Sequence, residues 1–329
     1  MGGTATWSVG RVTERTGLAA YTWCMRRRGD ALGSAPAAVA HGDVGRIGRR
    51  RPRPGRVAST LATLVIAAGI AIAACAPAHG ARVEPGAGLP AHDLDLARAG
   101  WYRTHSETGR LASTFGCVLH YETHAPAVGT SSGAPTVVLA HGFLRDLRSM
   151  RGWATHFASH GVRTVVVSFC NSSPLDGRHD RNAEDLVTLA AAVAPGTAPV
   201  LYAGFSAGGL AAYVAASRDV RTVAFLGLDA VDGGGLASSV APLAVPTMLL
   251  TGEPSRCNAE GRFLPLAPSP PPGRTVRVAN ATHCDFENPT SAACEWICGR
   301  VEPHEAAQAI RSAIRSLATA WILEHASPR

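Results

Sequence analysis

The chain has 329 residues, enough for one large domain or two small ones around a sizeable buried core. Apolar residues make up 46% and charged residues 17%, with 35 Gly and 22 Pro, which argues against a disordered or collagen-like chain. The net charge of +7 is unevenly carried: residues 1–74 hold 11 Arg against Glu14, Asp30 and Asp43, while residues 75–329 hold 20 Arg against 21 acids, so the body is near neutral and nucleic-acid binding is disfavoured.

In chain order, the first feature is a basic block at 46–56, RIGRRRPRPGR, followed by an apolar run at 61–74 broken only by Thr63. That run suits the h-region of a signal peptide and falls short of the ~20 residues of a membrane span. It ends in Ile72-Ala73-Ala74-Cys75, which resembles the bacterial lipobox. The resemblance implies lipid on Cys75, export to the cell envelope and attachment to a membrane through that residue; plain secretion is the alternative. Residues 1–45 lack clear periodicity, and Met25 is one candidate for a later start. The expected organisation is a leader at 1–74, a tether at 75–111 (Pro/Gly/Ala-containing, without strong periodicity) and one domain at 112–329.

From there strand-like and helix-like segments alternate. Strands are expected at 117–121, 136–140, 163–168, 200–203, 223–228, 247–251 and 275–278, most of them short β-branched or apolar runs. Helices are expected at 149–159, at 183–193 with Asn182 as a cap, and at 207–216. A last one spans 303–324, where Ala307, Ile310, Ile314, Leu317 and Trp321 recur at three- and four-residue steps behind Pro303. Such alternation implies an α/β fold, with a mostly parallel twisted sheet and helices on both faces.

One segment carries the chemistry. The strand at 200–203 runs into Gly204-Phe205-Ser206-Ala207-Gly208, and a helix follows. This is G-x-S-x-G in a strand–sharp turn–helix context, where the turn strains the Ser backbone and side chains at 204 or 208 would collide with it. With His141-Gly142-Phe143 after the strand at 136–140, the pattern over about 112–325 resembles an α/β-hydrolase serine esterase or lipase. By that resemblance the N–H groups of Phe143 and Ala207 form an oxyanion hole, and His141 shapes the turn. The resemblance makes His283, on the loop after the last strand, the expected general base. The segment Gly227-Leu228-Asp229-Ala230-Val231-Asp232-Gly233 resembles the G-[LV]-D-P-V of chlorophyllase-like esterases, with Ala230 in place of Pro, and makes Asp229 the preferred acid. Glu253, one strand later, is the alternative, and Asp232 a third candidate.

Setting aside Cys24 and Cys75, the chain has six cysteines: Cys117, Cys170, Cys257, Cys284, Cys294 and Cys298. An even number in an exported chain favours disulfides. A zinc set of His283, Cys284, Cys294 and Cys298 lacks a CxxC pair or ribbon spacing. The sheet order that the resemblance implies brings Cys117 beside Cys170; the remaining four would form two bridges around the His283 loop, with three pairings open. Only 233–244 separates the Asp229 segment from the next strand region, too short for a large lid. The reading is a serine hydrolase of carboxylic esters, small-molecule or polymeric, needing no metal or organic cofactor. A peptidase or acyltransferase with the same triad, or a binding protein on the same scaffold, are the alternatives.

Overall fold

The computed structural model describes residues 81–83, 96–130, 133–171, 177–232, 234–262, 273–298 and 304–326. Cys75, the basic block, the apolar run and Pro303 lie outside them. Contacts divide the chain into Met1–Ala78 and His79–Arg329, and every described residue belongs to the second unit. Among these residues no helix is long and apolar enough to cross a membrane.

Nine strands make one sheet: β1 (Ala81–Val83), β2 (Thr104–Ala112), β3 (Val118–Pro126), β4 (Thr136–Ala140), β5 (Thr164–Ser168), β6 (Val200–Phe205), β7 (Thr222–Leu228), β8 (Thr247–Thr251) and β9 (Gly273–Val278). Their order is β1-β9-β8-β7-β6-β4-β5-β3-β2. Neighbours from β1 through β5 run parallel, whereas β3 is antiparallel to β5 and β2 to β3. Among the described residues five helices accompany the sheet: α1 (Arg151–Ser159), α2 (His179–Val193), α3 (Ala207–Arg218), α4 (Ala292–Cys298) and α5 (His304–Ala326). The chain is therefore α/β with a mostly parallel sheet, the expected class.

The sequence of β4, TVVLA, explains its place. Val137 and Leu139 pack with Trp153 and Phe157 of α1 and Ile310, Ile314 and Trp321 of α5. Val138 and Ala140 point the other way, toward Leu186 and Leu189 of α2 and Leu210 of α3. A strand covered on both faces needs apolar residues at every position, which is why the central strands read as unbroken runs rather than alternating ones.

Three expectations require correction. The tether expected at 75–111 contains β1 and most of β2. Strand β2 is paired along its whole length with β3 on the outside of the sheet, and its polar side chains are largely exposed on both faces, so backbone pairing forms it without any hydrophobic pattern. Residues ahead of β2 are also fixed: the Leu96 and Arg98 carbonyls meet His156 Nε2 and His160 Nε2 at 2.9 and 3.0 Å, and Arg315 donates to the Ala97 carbonyl at 3.0 Å. Second, α2 begins at His179, so Asn182 lies inside the helix, where its amide donates to the Asn171 carbonyl at 3.3 Å instead of capping. Third, α4 was not foreseen.

Among the described residues there are three disulfides: Cys117–Cys170, Cys257–Cys298 and Cys284–Cys294. The first joins the residue before β3 to the segment after β5, as the implied sheet order required. The other two resolve the open pairings, and both end on α4.

Candidate active site

Strands β6 and β7 lie side by side, and their C-terminal ends carry Ser206 and Asp229. Ser206 sits between β6 and α3 with φ 55° and ψ −128°, a backbone conformation that a non-glycine residue adopts only at a cost of ~1–3 kcal/mol. Neighbouring packing holds it there. The Ser206 N–H donates to the Leu228 carbonyl at 3.0 Å, and the Ser206 carbonyl accepts from Gly209 N–H at 2.9 Å. A Cβ at position 204 would lie 2.5 Å from the Gly208 carbonyl oxygen, and one at 208 would lie 2.1 Å from that of His141. The two glycines are therefore a steric requirement of this turn.

His283 follows β9 and opens a short 3₁₀ turn, His283–Phe286. Its Nε2 lies 3.0 Å from Ser206 Oγ, and its Nδ1 lies 2.6 Å from Asp229 Oδ2. The carboxylate can only accept, so Nδ1 carries the hydrogen and Nε2 presents a lone pair to the Ser206 hydroxyl. Asp229 is fully buried, yet its charge is well solvated by the protein: Oδ1 accepts from Gly252 N–H at 2.9 Å and Oδ2 from the Asn258 amide at 3.2 Å. The Phe205 ring lies against the imidazole, with centroids 4.6 Å apart. The structure thus brings Ser206, His283 and Asp229 into one hydrogen-bonded line.

The other acidic candidates are engaged elsewhere. Glu253 Oε1 accepts from the Asn280 N–H at 3.3 Å. Asp232 accepts from the N–H groups of Leu236 and Ala237 at 3.0 and 2.9 Å, which makes it the clasp of a turn.

Gly142 passes close beside the serine, since a Cβ there would lie 3.1 Å from Ser206 Cβ. That places the Phe143 loop next to the hydroxyl. Ala207 opens α3, where its N–H has no intrahelical acceptor and is part of the positive end of the helix dipole. Leu144, the residue after Phe143, has φ 58° and is 44% exposed. It borders a groove of ≈ 380 Å³ whose other walls include Ser149, Pro289 and Ala293.

His141 fixes this loop. The Phe169 N–H donates to its Nε2 at 3.1 Å, so Nδ1 carries the hydrogen that goes to the Gly142 carbonyl at 2.7 Å. Burial pushes its pKa from 6.5 down to about 4, and the ring is neutral. Burial lowers His156 in the same way, also to about 4. Between pH 6.5 and 4 the unfolded chain therefore binds more protons at these histidines than the folded one, and stability falls as the pH drops. From pH 7 to 4.5, His141 alone is expected to remove about 2–3 kcal/mol, measurable as a lower urea midpoint at unchanged slope.

The His283 loop is held at many points. Asp285 accepts from Thr282 N–H at 2.8 Å and from Arg311 Nε at 3.0 Å, buried Glu287 pairs with Arg145, and Trp153 Nε1 donates to the Phe286 carbonyl at 2.9 Å. Cys284–Cys294 adds a covalent tie one residue from the imidazole. Replacing both of these cysteines with Ala is expected to cost about 3 kcal/mol for a bridge with a sequence separation of 10, read by urea unfolding. The Sγ atoms of Cys284, Cys294 and Cys298 lie within 4.8 Å of one another, but all three are consumed in disulfides, so the cluster does not fit a thiolate-bound metal.

Sequence reasoning missed Asn258. It stands beside a cysteine in an irregular segment with no periodicity, and the only available signal was its place just after the strand next to the Asp229 strand. No family model matches this chain, and no curated protein matches it.

Proposed function

We propose that this chain is a serine hydrolase of the α/β-hydrolase type that cleaves carboxylic esters through an acyl-enzyme. The observation that carries the reading is the line Ser206 Oγ–His283–Asp229, with spacings of 3.0 and 2.6 Å, set on a strained strand-to-helix turn. The antiparallel seat of β3 beside β5 supports the same fold, since that neighbour relation is the one the resemblance implied.

In this mechanism Ser206 Oγ attacks the acyl carbon while its proton passes to His283 Nε2. The carbonyl electrons move onto oxygen, where the N–H groups of Phe143 and Ala207 receive the oxyanion, each worth ~3 kcal/mol to the tetrahedral intermediate. His283 then gives its proton to the leaving alcohol, and the C–O bond breaks to leave an ester on Ser206. Water attacks that ester with His283 again as base, releasing the acid and restoring the hydroxyl. Asp229 keeps the proton on Nδ1 throughout and stabilises the imidazolium. We further propose export and lipid attachment at Cys75; mass spectrometry of the mature N-terminus tests this, and an unmodified N-terminus elsewhere counts against it.

A fluorophosphonate probe tests the chemistry directly, because phosphonylation needs an activated serine. The native protein should label at a single site, and the labelled peptide should contain Ser206. Labelling of native protein and of Ser206→Ala to the same extent would sink the reading.

A further inference from the structure

We infer that Asn258 is the positioning residue of this site, acting through Asp229; the inference rests on the serine-hydrolase reading above. Asn258 is fully buried and lies at the end of a 3₁₀ turn, Arg256–Asn258, between β8 and β9. Its side chain uses every hydrogen-bonding position it has. Oδ1 accepts from Ser255 N–H at 2.7 Å and from Gly261 N–H at 3.1 Å. Nδ2 donates to the Glu253 carbonyl at 2.9 Å and to Asp229 Oδ2 at 3.2 Å.

Two backbone donors on one side of the amide decide its orientation. A flipped amide would aim NH₂ at the two N–H groups and its oxygen at the Asp229 carboxylate and the Glu253 carbonyl, which is repulsive at all four of these contacts, and only the Ser255 hydroxyl, 3.4 Å from Oδ1, could adapt. The donor must therefore face Asp229. It lands on Oδ2, the same oxygen that takes the His283 hydrogen at 2.6 Å. With Gly252 N–H on Oδ1, the carboxylate is held at both oxygens and cannot turn about its own axis. The imidazole is then directed by a fixed acceptor rather than a rotating one.

The surrounding chain reinforces this arrangement. Cys257, next to Asn258, is bonded to Cys298; Cys284, next to His283, is bonded to Cys294. The two side chains that meet at Asp229 Oδ2 thus each stand beside a half-cystine tied to α4. Glu253, the alternative acid, contributes its backbone carbonyl to the Asn258 amide.

Two variants separate positioning from mere filling of the turn. Asn258→Asp keeps an acceptor for Ser255 and Gly261 N–H but loses the donor toward Asp229. Asn258→Ser removes the contact with less charge disturbance and serves if the first variant does not fold. With p-nitrophenyl acetate, each folded variant should lose 10- to 100-fold in kcat with KM within twofold of the native value. In an Asp229→Asn background the same Asn258 change should cost less than twofold, because its effect passes through the carboxylate. Equal losses in both backgrounds, or a native kcat in a folded variant, overturn the inference alone. Absence of serine-dependent hydrolysis in the native protein overturns it together with the reading beneath it.

Discussion

Ser206→Ala and His283→Ala are each expected to lower kcat by about 10⁶, and the double variant should be scarcely worse than either single one. In the proposed mechanism the two side chains perform one step: the hydroxyl is a poor nucleophile unless its proton leaves as the new bond forms, and the imidazole has no other duty in that step. The 3.0 Å contact between Nε2 and Oγ is the structural basis of this unity. Folding should survive both changes, since neither side chain anchors the sheet. Steady-state hydrolysis of a p-nitrophenyl ester, with circular dichroism as a control, checks the result. Multiplying losses in the double variant would show that the residues work separately.

Asp229→Asn is expected to cost about 10⁴ in kcat, because an amide placed against Nδ1 favours the tautomer that leaves a hydrogen on Nε2 and blocks proton removal from Ser206. The expected loss is large because Asp229 is fully buried and its Oδ2 lies 2.6 Å from the ring, with no water-facing alternative for the imidazole hydrogen. Glu253→Gln should cost less than about 10-fold, at most ~1.4 kcal/mol of barrier, since an amide oxygen still accepts from Asn280 N–H. Both variants compared in one assay decide which acid orients the base. A crippled Glu253→Gln beside a mild Asp229→Asn would transfer the role to the later strand.

These residues differ in how visible they were beforehand. Ser206 announces itself because a sharp turn after a buried strand demands glycine at 204 and 208, a local constraint written in adjacent letters. The meeting of Asp229 and His283 depends on β7, β8 and β9 lying in order, which the apolar runs and the resemblance together made readable. Strand β2 escaped notice because an outer strand with polar residues on both faces is stabilised by backbone pairing, which leaves no trace in side-chain pattern. Helix α4 is only seven residues long and is tied in place by two disulfides, so periodicity had little to report. Asn258 was hidden for a further reason: its partners are mostly backbone groups, and backbone groups are the same in every sequence.

The two bridges that end on α4 also change what a single cut can do. Cys257, Cys284, Cys294 and Cys298 follow one another along the chain, and the bonds join the first to the last and the second to the third. The inner loop is therefore nested within the outer one. A protease that severs any one peptide bond between Cys257 and Cys298 leaves two fragments still covalently joined. Cleavage between Cys284 and Cys294 leaves them joined twice. A nicked chain would run as one band without reductant and as two with it. Its serine, imidazole and carboxylate would remain parts of one molecule after a break that would otherwise release the C-terminal helix.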